Sequence, residues 1–292
     1  MEINKPIFIV GSGRSGTTLL YEILSVHEKV TWFSNYTNKF PQKPWLSYFN
    51  ALYKKVNISN TFMKKIYFPN PSEGYNLWDY FHPVNSGRDL GASPPFTEED
   101  VEYADIIKMK NTIKQHLTYS GASRFLNKNT RNTRRLRYLY DIFPDAYFIH
   151  IIRDGRAVVN SIINVEWWKD LELWYEDGGK SVPQLIREGK DELELAAEGW
   201  RLEVIRANED SKKIPDDQYI EIRYENLSKN PMQIIKKILG FVDLESTYNM
   251  EKHVMSLNVK NMNYKYKELL SHKELETVEN IIKPLLMKLN YM

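Results

Sequence analysis

Ile7-Phe8-Ile9-Val10-Gly11-Ser12-Gly13-Arg14-Ser15-Gly16-Thr17-Thr18-Leu19-Leu20 is the stretch that decides the fold. Its first four residues form a continuous apolar run, as expected of a strand buried on both faces. A glycine- and serine-rich turn follows. From about Thr17 to His27 the apolar residues Leu19, Leu20, Ile23 and Leu24 fall on one helical stripe. Strand, glycine turn and helix make the first half of a βαβ unit. The glycines let successive N–H groups point into one concavity, and the helix start adds unpaired N–H groups with about half a positive charge. Gly13, Arg14, Ser15, Gly16, Thr17 and Thr18 are therefore candidate anion ligands. Arg14 supplies a planar fork and the threonines supply hydroxyls.

The loop comes near the pattern G-x-x-x-x-G-K-[ST] and departs from it instructively. Gly11 and Gly16 have the right spacing, but Thr17 stands where the lysine belongs and the cation has moved to Arg14. No apolar strand ends in an aspartate placed to hold Mg²⁺. Transfer of a less charged group than a triphosphate's terminal phosphoryl would suit such a loop, with no metal expected.

A second α/β unit lies further on. A helix is predicted over about 133–143, a buried strand over Tyr147 to Ile152, and Arg153-Asp154-Gly155 turns into another helix. Helices are predicted over 191–208, from Asn230-Pro231 to Gly240, and from about Lys273 with a kink at Pro284. Gln218 to Arg223 reads as a short strand. Thr97 is read as the N-cap of a helix whose apolar side holds Val101, Ala104, Ile107 and Ile113. The expected fold is α/β: a P-loop NTPase-like three-layer sandwich, with a central mostly parallel sheet flanked by helices. One domain is expected over 1–292, with 32–120 as an inserted helical and loop region facing the substrate.

These motifs resemble those of sulfotransferases that use 3′-phosphoadenosine 5′-phosphosulfate (PAPS). Arg14-Ser15-Gly16-Thr17-Thr18-Leu19-Leu20 resembles the arginine form of the family's 5′-phosphosulfate loop, found in tyrosylprotein sulfotransferases and bacterial relatives. The stretch from Ile152 to Ser161 resembles the 3′-phosphate site, which implies that Arg153 and Ser161 clamp that phosphate. Lys128 matches a family lysine, and Tyr224-Glu225-Asn226-Leu227 matches a segment whose tyrosine touches the nucleotide. The matches run in family order from residue 7 to about 241. They imply sulfuryl transfer from PAPS to a hydroxyl, leaving 3′,5′-phosphoadenosine (PAP), with Arg14 and Lys128 on the developing charge.

The family's usual bases are missing. Where tyrosylprotein sulfotransferases place a glutamate, this chain has Ser34-Asn35-Tyr36. Where the cytosolic type has Lys-x-His, it has Lys128-Asn129-Thr130. Glu73 is the preferred general base, with His82 and Asp79 as rivals. Trp78, Tyr80, Phe81, Trp167, Trp168 and Trp174 supply either an aromatic wall or core. His27, His116, His253 and His272 have no metal-ligand spacing. A small-molecule kinase and a non-catalytic nucleotide-binding module are the alternative readings.

Composition bounds the rest. Across 292 residues, 42% are hydrophobic and 27% charged, with a net charge of +2. That near-neutral balance gives no general attraction to nucleic acid. The absence of cysteine excludes disulfides and thiolate chemistry. The apolar run at 7–10 is too short for a signal peptide or membrane span, and a busy loop so near the start leaves no room for a leader. The expected location is the cytoplasm. The acceptor is a small molecule, glycan, lipid or peptide tyrosine.

Overall fold

A computed structural model describes residues 1–55, 69–82, 105–176, 180–257 and 259–292. Among the described residues five strands form one sheet: β1 (Ile7–Val10), β2 (Val30–Thr31), β3 (Arg124–Lys128), β4 (Tyr147–Ile152) and β5 (Tyr219–Arg223). Their order is β2-β3-β1-β4-β5, and every pairing is parallel. The sheet has helices on both faces, as the expected three-layer sandwich requires.

The alternation along β1 explains the layers. Ile7 and Ile9 face one cluster, with Leu20 and Leu24 of the first helix and Ile235 and Leu239 of the helix Pro231–Phe241. Phe8 and Val10 face the other, with Phe148, Leu117 and Leu139. Both faces are covered, so the strand must be apolar throughout. A third cluster gathers the helices Gly155–Ile162, Glu192–Ser211 and His272–Lys288 around Trp200 and Ile282.

Several expectations move slightly. The helix predicted at 133–143 is a 3₁₀ turn, Thr130–Arg134, followed by the helix Leu136–Ile142. The last helix runs through Pro284 to Lys288. The helix assigned to start at Thr97 falls largely outside the described residues, as do Val101 and Ala104. Its described part is Ile106–Ser120, capped by the Asp105 carboxylate. There Ile113 is buried, but Ile107 is 76% exposed and belongs to no apolar side.

The sheet order also explains where a ligand can sit. Ile9 pairs with Lys128, Val10 with His150, and Ile152 with Arg223. The parallel register therefore delivers the ends of β3, β1, β4 and β5 to one edge. The connection after β1 runs to β2 on one side of the sheet and that after β4 runs to β5 on the other, and such reversal points open a crevice beyond the carboxyl ends of the strands.

Candidate active site

The loop after β1 leaves the start of the first helix uncapped. Gly16 precedes the helix Thr17–Ser25 at φ 93°, and no side chain caps that helix. Its first N–H groups therefore face the concavity. The Ser12 and Ser15 hydroxyls lie 2.6 Å apart inside the loop, and the Gly11 N–H donates to Thr133 Oγ1 at 2.8 Å. A side chain at Gly16 would meet Tyr224 Cδ2 at 2.5 Å, so the loop packs directly on the tyrosine of the 224–227 segment.

The second motif touches the first. Arg14 Nε donates to Ser161 Oγ at 3.0 Å, and Arg153 donates through Nη1 to the Arg14 carbonyl at 2.9 Å. Arg14 thus lies between the two cradles, with its φ at 67°. Arg153 is 7% exposed, stacks 4.6 Å from the Tyr224 ring centroid and donates to Asn263 Oδ1 at 2.7 Å. Burial pushes its pKa down. Among the described residues its hydrogen-bond partners are neutral and it forms no ion pair. A buried guanidinium without a carboxylate is costly unless an anion arrives.

Glu225 organises this corner. Its carboxylate accepts from the Asp154 N–H at 3.1 Å, from the Asn263 carboxamide and from the Tyr291 hydroxyl at 2.9 Å. Sequence reading missed Asn263, Thr133 and this role of Glu225. No local pattern marks them, because each acts through a partner distant in the chain.

Lys128 and Glu73, chosen separately, come together. Lys128 Nζ lies 2.5 Å from Glu73 Oε1 and 3.1 Å from Thr18 Oγ1. Lys128 is buried, while 28% of the Glu73 side chain is exposed. Glu73 Oε2 accepts from the Tyr75 hydroxyl at 2.7 Å and the Thr130 N–H at 3.3 Å. The Asn129 carboxamide holds the Glu73 carbonyl at 3.0 Å.

This placement relates Glu73 to both missing bases. The Ser72 N–H donates to Phe33 O, and Pro71 bridges Ser34, so the 71–73 strip lies along the segment where a tyrosylprotein enzyme carries its glutamate. Thr130, at the histidine position of the cytosolic type, grips the Glu73 carboxylate with its backbone. The rivals sit elsewhere. His82 is buried against the Tyr138 hydroxyl, and Asp79 pairs with Arg131 at 3.4 Å.

The aromatic residues divide. Trp78, Phe81 and Trp168 are core, whereas Trp167 is 45% exposed and its ring lies 3.7 Å from where a side chain on Gly13 would begin. Trp174 stacks on Arg134.

Strand-end loops with these charges define an α/β protein with a cationic crevice at the carboxyl edge of its sheet. A family model described as the sulfotransferase family matches residues 6–248, and the chain belongs to that family. It is 26% identical over 258 residues to the omega-hydroxy-beta-dihydromenaquinone-9 sulfotransferase Stf3 of Mycobacterium tuberculosis, covering 82% of this chain and 64% of that protein. It is 29% identical over 132 residues to a putative protein-tyrosine sulfotransferase of Caenorhabditis elegans, covering 45% of this chain and 44% of the relative. The chain therefore spans less than two thirds of the length of these curated relatives. Among solved structures, sulfotransferase STF9 from Mycobacterium avium superposes with a TM-score of 0.62 at 16% identity, over 99% of this chain and 77% of that one. The sulfotransferase domain of the curacin biosynthetic pathway gives 0.54 at 14% identity, over 97% and 99%. At these identities the likeness shows the fold. No described helix is long and apolar enough to cross a membrane.

Proposed function

We propose that the chain transfers the sulfuryl group of PAPS to a hydroxyl of its acceptor. The observation that carries this reading is Arg153: a buried cation that forms no ion pair among the described residues, bonded to the carbonyl of Arg14 in the glycine-rich loop. Two cradles joined in this way suit a nucleotide phosphorylated at its 3′ and 5′ ends. Gly13, Ser15, Gly16, Thr17 and Thr18 hold the 5′-phosphosulfate, while Arg153, Ser161 and Tyr224 hold the 3′-phosphate end. Arg14 is tethered between them. Thr17 at the usual lysine position, and membership of the family, weigh against the kinase reading.

The chemistry follows from the cluster at Lys128. Glu73 takes the proton of the acceptor hydroxyl as its oxygen bonds to sulfur. The bond from sulfur to the bridging phosphate oxygen breaks, and charge grows on that oxygen. Lys128, already bonded to Thr18 in the loop, shifts from Glu73 toward this oxygen and frees a carboxylate lone pair. Arg14 assists from the side of the 3′ cradle. Such preorganised cations contribute on the order of 3–4 kcal/mol each to a transition state. The segment 32–120, which carries Glu73, forms the acceptor side. The curated relatives are named for a menaquinone-type alcohol and for protein tyrosine, so the acceptor is an alcohol or a phenol. The cysteine-free sequence suits a reducing compartment such as the cytoplasm.

Calorimetric titration tests the donor. PAP should bind tightly and Mg-ATP weakly, and Arg153→Ala should weaken PAP at least about tenfold while sparing 5′-AMP. Uptake of Mg-ATP in preference to PAP would end this reading.

A further inference from the structure

The segment 40–52 is built inside out. Ser47 and Asn50 are fully buried, while Phe40, Trp45, Tyr48 and Leu52 are 43%, 48%, 65% and 42% exposed. The buried pair is held by hydrogen bonds. Ser47 Oγ donates to the His116 carbonyl, and the Asn50 carboxamide donates to Thr31 Oγ1 and the Trp32 carbonyl. These bonds fix the rotation of the 3₁₀ turn Pro44–Phe49 and the helix Asn50–Lys55, so Trp45, Tyr48 and Leu52 point outward while Tyr53 turns in to pack on Trp32. Scattered exposed apolar residues are ordinary, but the stripe Trp45, Tyr48 and Leu52, at spacings of three and four and secured by buried polar anchors, marks an interaction surface.

The charge on this face selects its occupant. Residues 35–55 contain four lysines and no aspartate or glutamate. Lys54 turns inward to backbone carbonyls. Lys39 and Lys43 stay exposed and flank Phe40, with their ammonium groups 5.6 and 5.2 Å from its ring centroid. Beside them the outward Ile107 lines a groove of about 410 Å³ with Pro41 and Pro44. Aromatic and aliphatic side chains interleaved with lysine suit the headgroup region of an anionic bilayer. A two-fold related copy of this chain would instead set like charges against each other, and lysine is disfavoured within protein interfaces.

We propose that this face docks on an anionic membrane surface. Its position then bears on the acceptor. The Asn76 N–H donates to Asn38 Oδ1 at 2.9 Å, which ties the helix Asn35–Lys39 to the helix Tyr75–Phe81 just beyond Glu73. The docked face borders the acceptor side, so the hydroxyl is presented by an amphiphile resident in the bilayer. This last step rests on the sulfuryl-transfer reading, whereas docking itself does not.

Vesicle flotation of the full chain tests docking without nucleotide. The protein should float with phosphatidylcholine vesicles containing phosphatidylglycerol, much less with phosphatidylcholine alone, and less as salt rises. The double variants Trp45→Ala/Tyr48→Ala and Lys39→Glu/Lys43→Glu should each lose on the order of tenfold or more in vesicle affinity. Their PAP affinity should match the parent protein, which reports both an intact fold and the separate donor site. Failure to float with anionic vesicles, or flotation unchanged in both variants, overturns the proposal. So does light scattering that shows a dimer abolished by Trp45→Ala/Tyr48→Ala. Loss of PAP binding by the unaltered chain would instead strike the donor reading and leave docking standing.

Discussion

Replacing the Glu73 carboxylate with the carboxamide of Glu73→Gln separates two roles that its geometry permits. The carboxylate now accepts from three donors: Lys128 Nζ at 2.5 Å, the Tyr75 hydroxyl at 2.7 Å and the Thr130 N–H at 3.3 Å. Glutamine keeps one acceptor oxygen and turns an amino group on the other donors. Breaking a buried ion pair costs about 3–5 kcal/mol, but the 28% exposure of the Glu73 side chain admits water. A folding cost of about 2–3 kcal/mol follows, seen as a fall in Tm of roughly 5 °C or more. Loss of a general base costs about 10²–10⁴ in rate, or roughly 3–5 kcal/mol in the barrier. The assay is release of PAP from PAPS with any acceptor that the parent protein turns over, at saturation, beside calorimetry with PAP. The expected result is kcat lower by at least about a hundredfold with PAP affinity within a few-fold. A kcat within tenfold of the parent, accompanied by the expected fall in Tm, would refute the base assignment. Glu73 would then be only the counterion of Lys128.

Three other perturbations probe the frame around that cluster. Gly16→Ala places a side chain 2.5 Å from Tyr224 at a backbone φ of 93°, so it should cost about 1–3 kcal/mol and weaken PAP binding. Gly121→Ala, also at positive φ (69°) but in open space, should cost about 1 kcal/mol and leave PAP binding alone, which urea melts and calorimetry check. Glu225→Gln loosens Asn263, Tyr291 and the turn beneath Arg153, and should weaken PAP about tenfold while leaving 5′-AMP unchanged; equal losses for both ligands would point to general unfolding of the site. His116 and His150, both buried, have pKa values pushed down to about 4, with burial the main cause. The unfolded chain binds their protons from about pH 6.5 downward and the folded chain resists until about pH 4, so stability present above pH 6.5 is lost as pH falls. Each histidine contributes on the order of 3 kcal/mol across that window. Asp210, pushed up to about 6 mainly by burial, runs the other way and offsets roughly one of them. Urea melts at pH 7, 5.5 and 4.5 should therefore show a net loss, and His116→Asn should reduce it; stability that rose on acidification would contradict these histidine environments.

How much of this was legible in the sequence depends on where each residue finds its partners. β1 and β4 could be read because a strand covered on both faces of a parallel sheet must be apolar throughout. β3 could not: Arg-Phe-Leu-Asn-Lys is buried at every position, yet three of its residues are polar. They find partners far along the chain, with Arg124 Nε donating to the Lys5 carbonyl, Asn127 to the Glu73 carbonyl and Lys128 to Glu73 itself. The same division runs through the site. The loop at 11–18 gathers anions with its own backbone and its own helix, so its chemistry is local and visible. Glu73 had only its neighbourhood to recommend it, and its relation to Lys128 exists only because the 71–73 strip is hydrogen-bonded along Phe33 and Ser34. Among the aromatic residues, Trp78 and Phe81 follow the helical rule into the core. Trp45 and Tyr48 break that rule because Ser47 and Asn50 claim the inner side with hydrogen bonds, so polar anchoring decides which way the amphipathic segment turns. A hydrophobic pattern states which side chains leave water when nothing else competes. At the candidate catalytic and docking surfaces the competitors are buried polar bonds between distant residues, and there the reading depends on the fold.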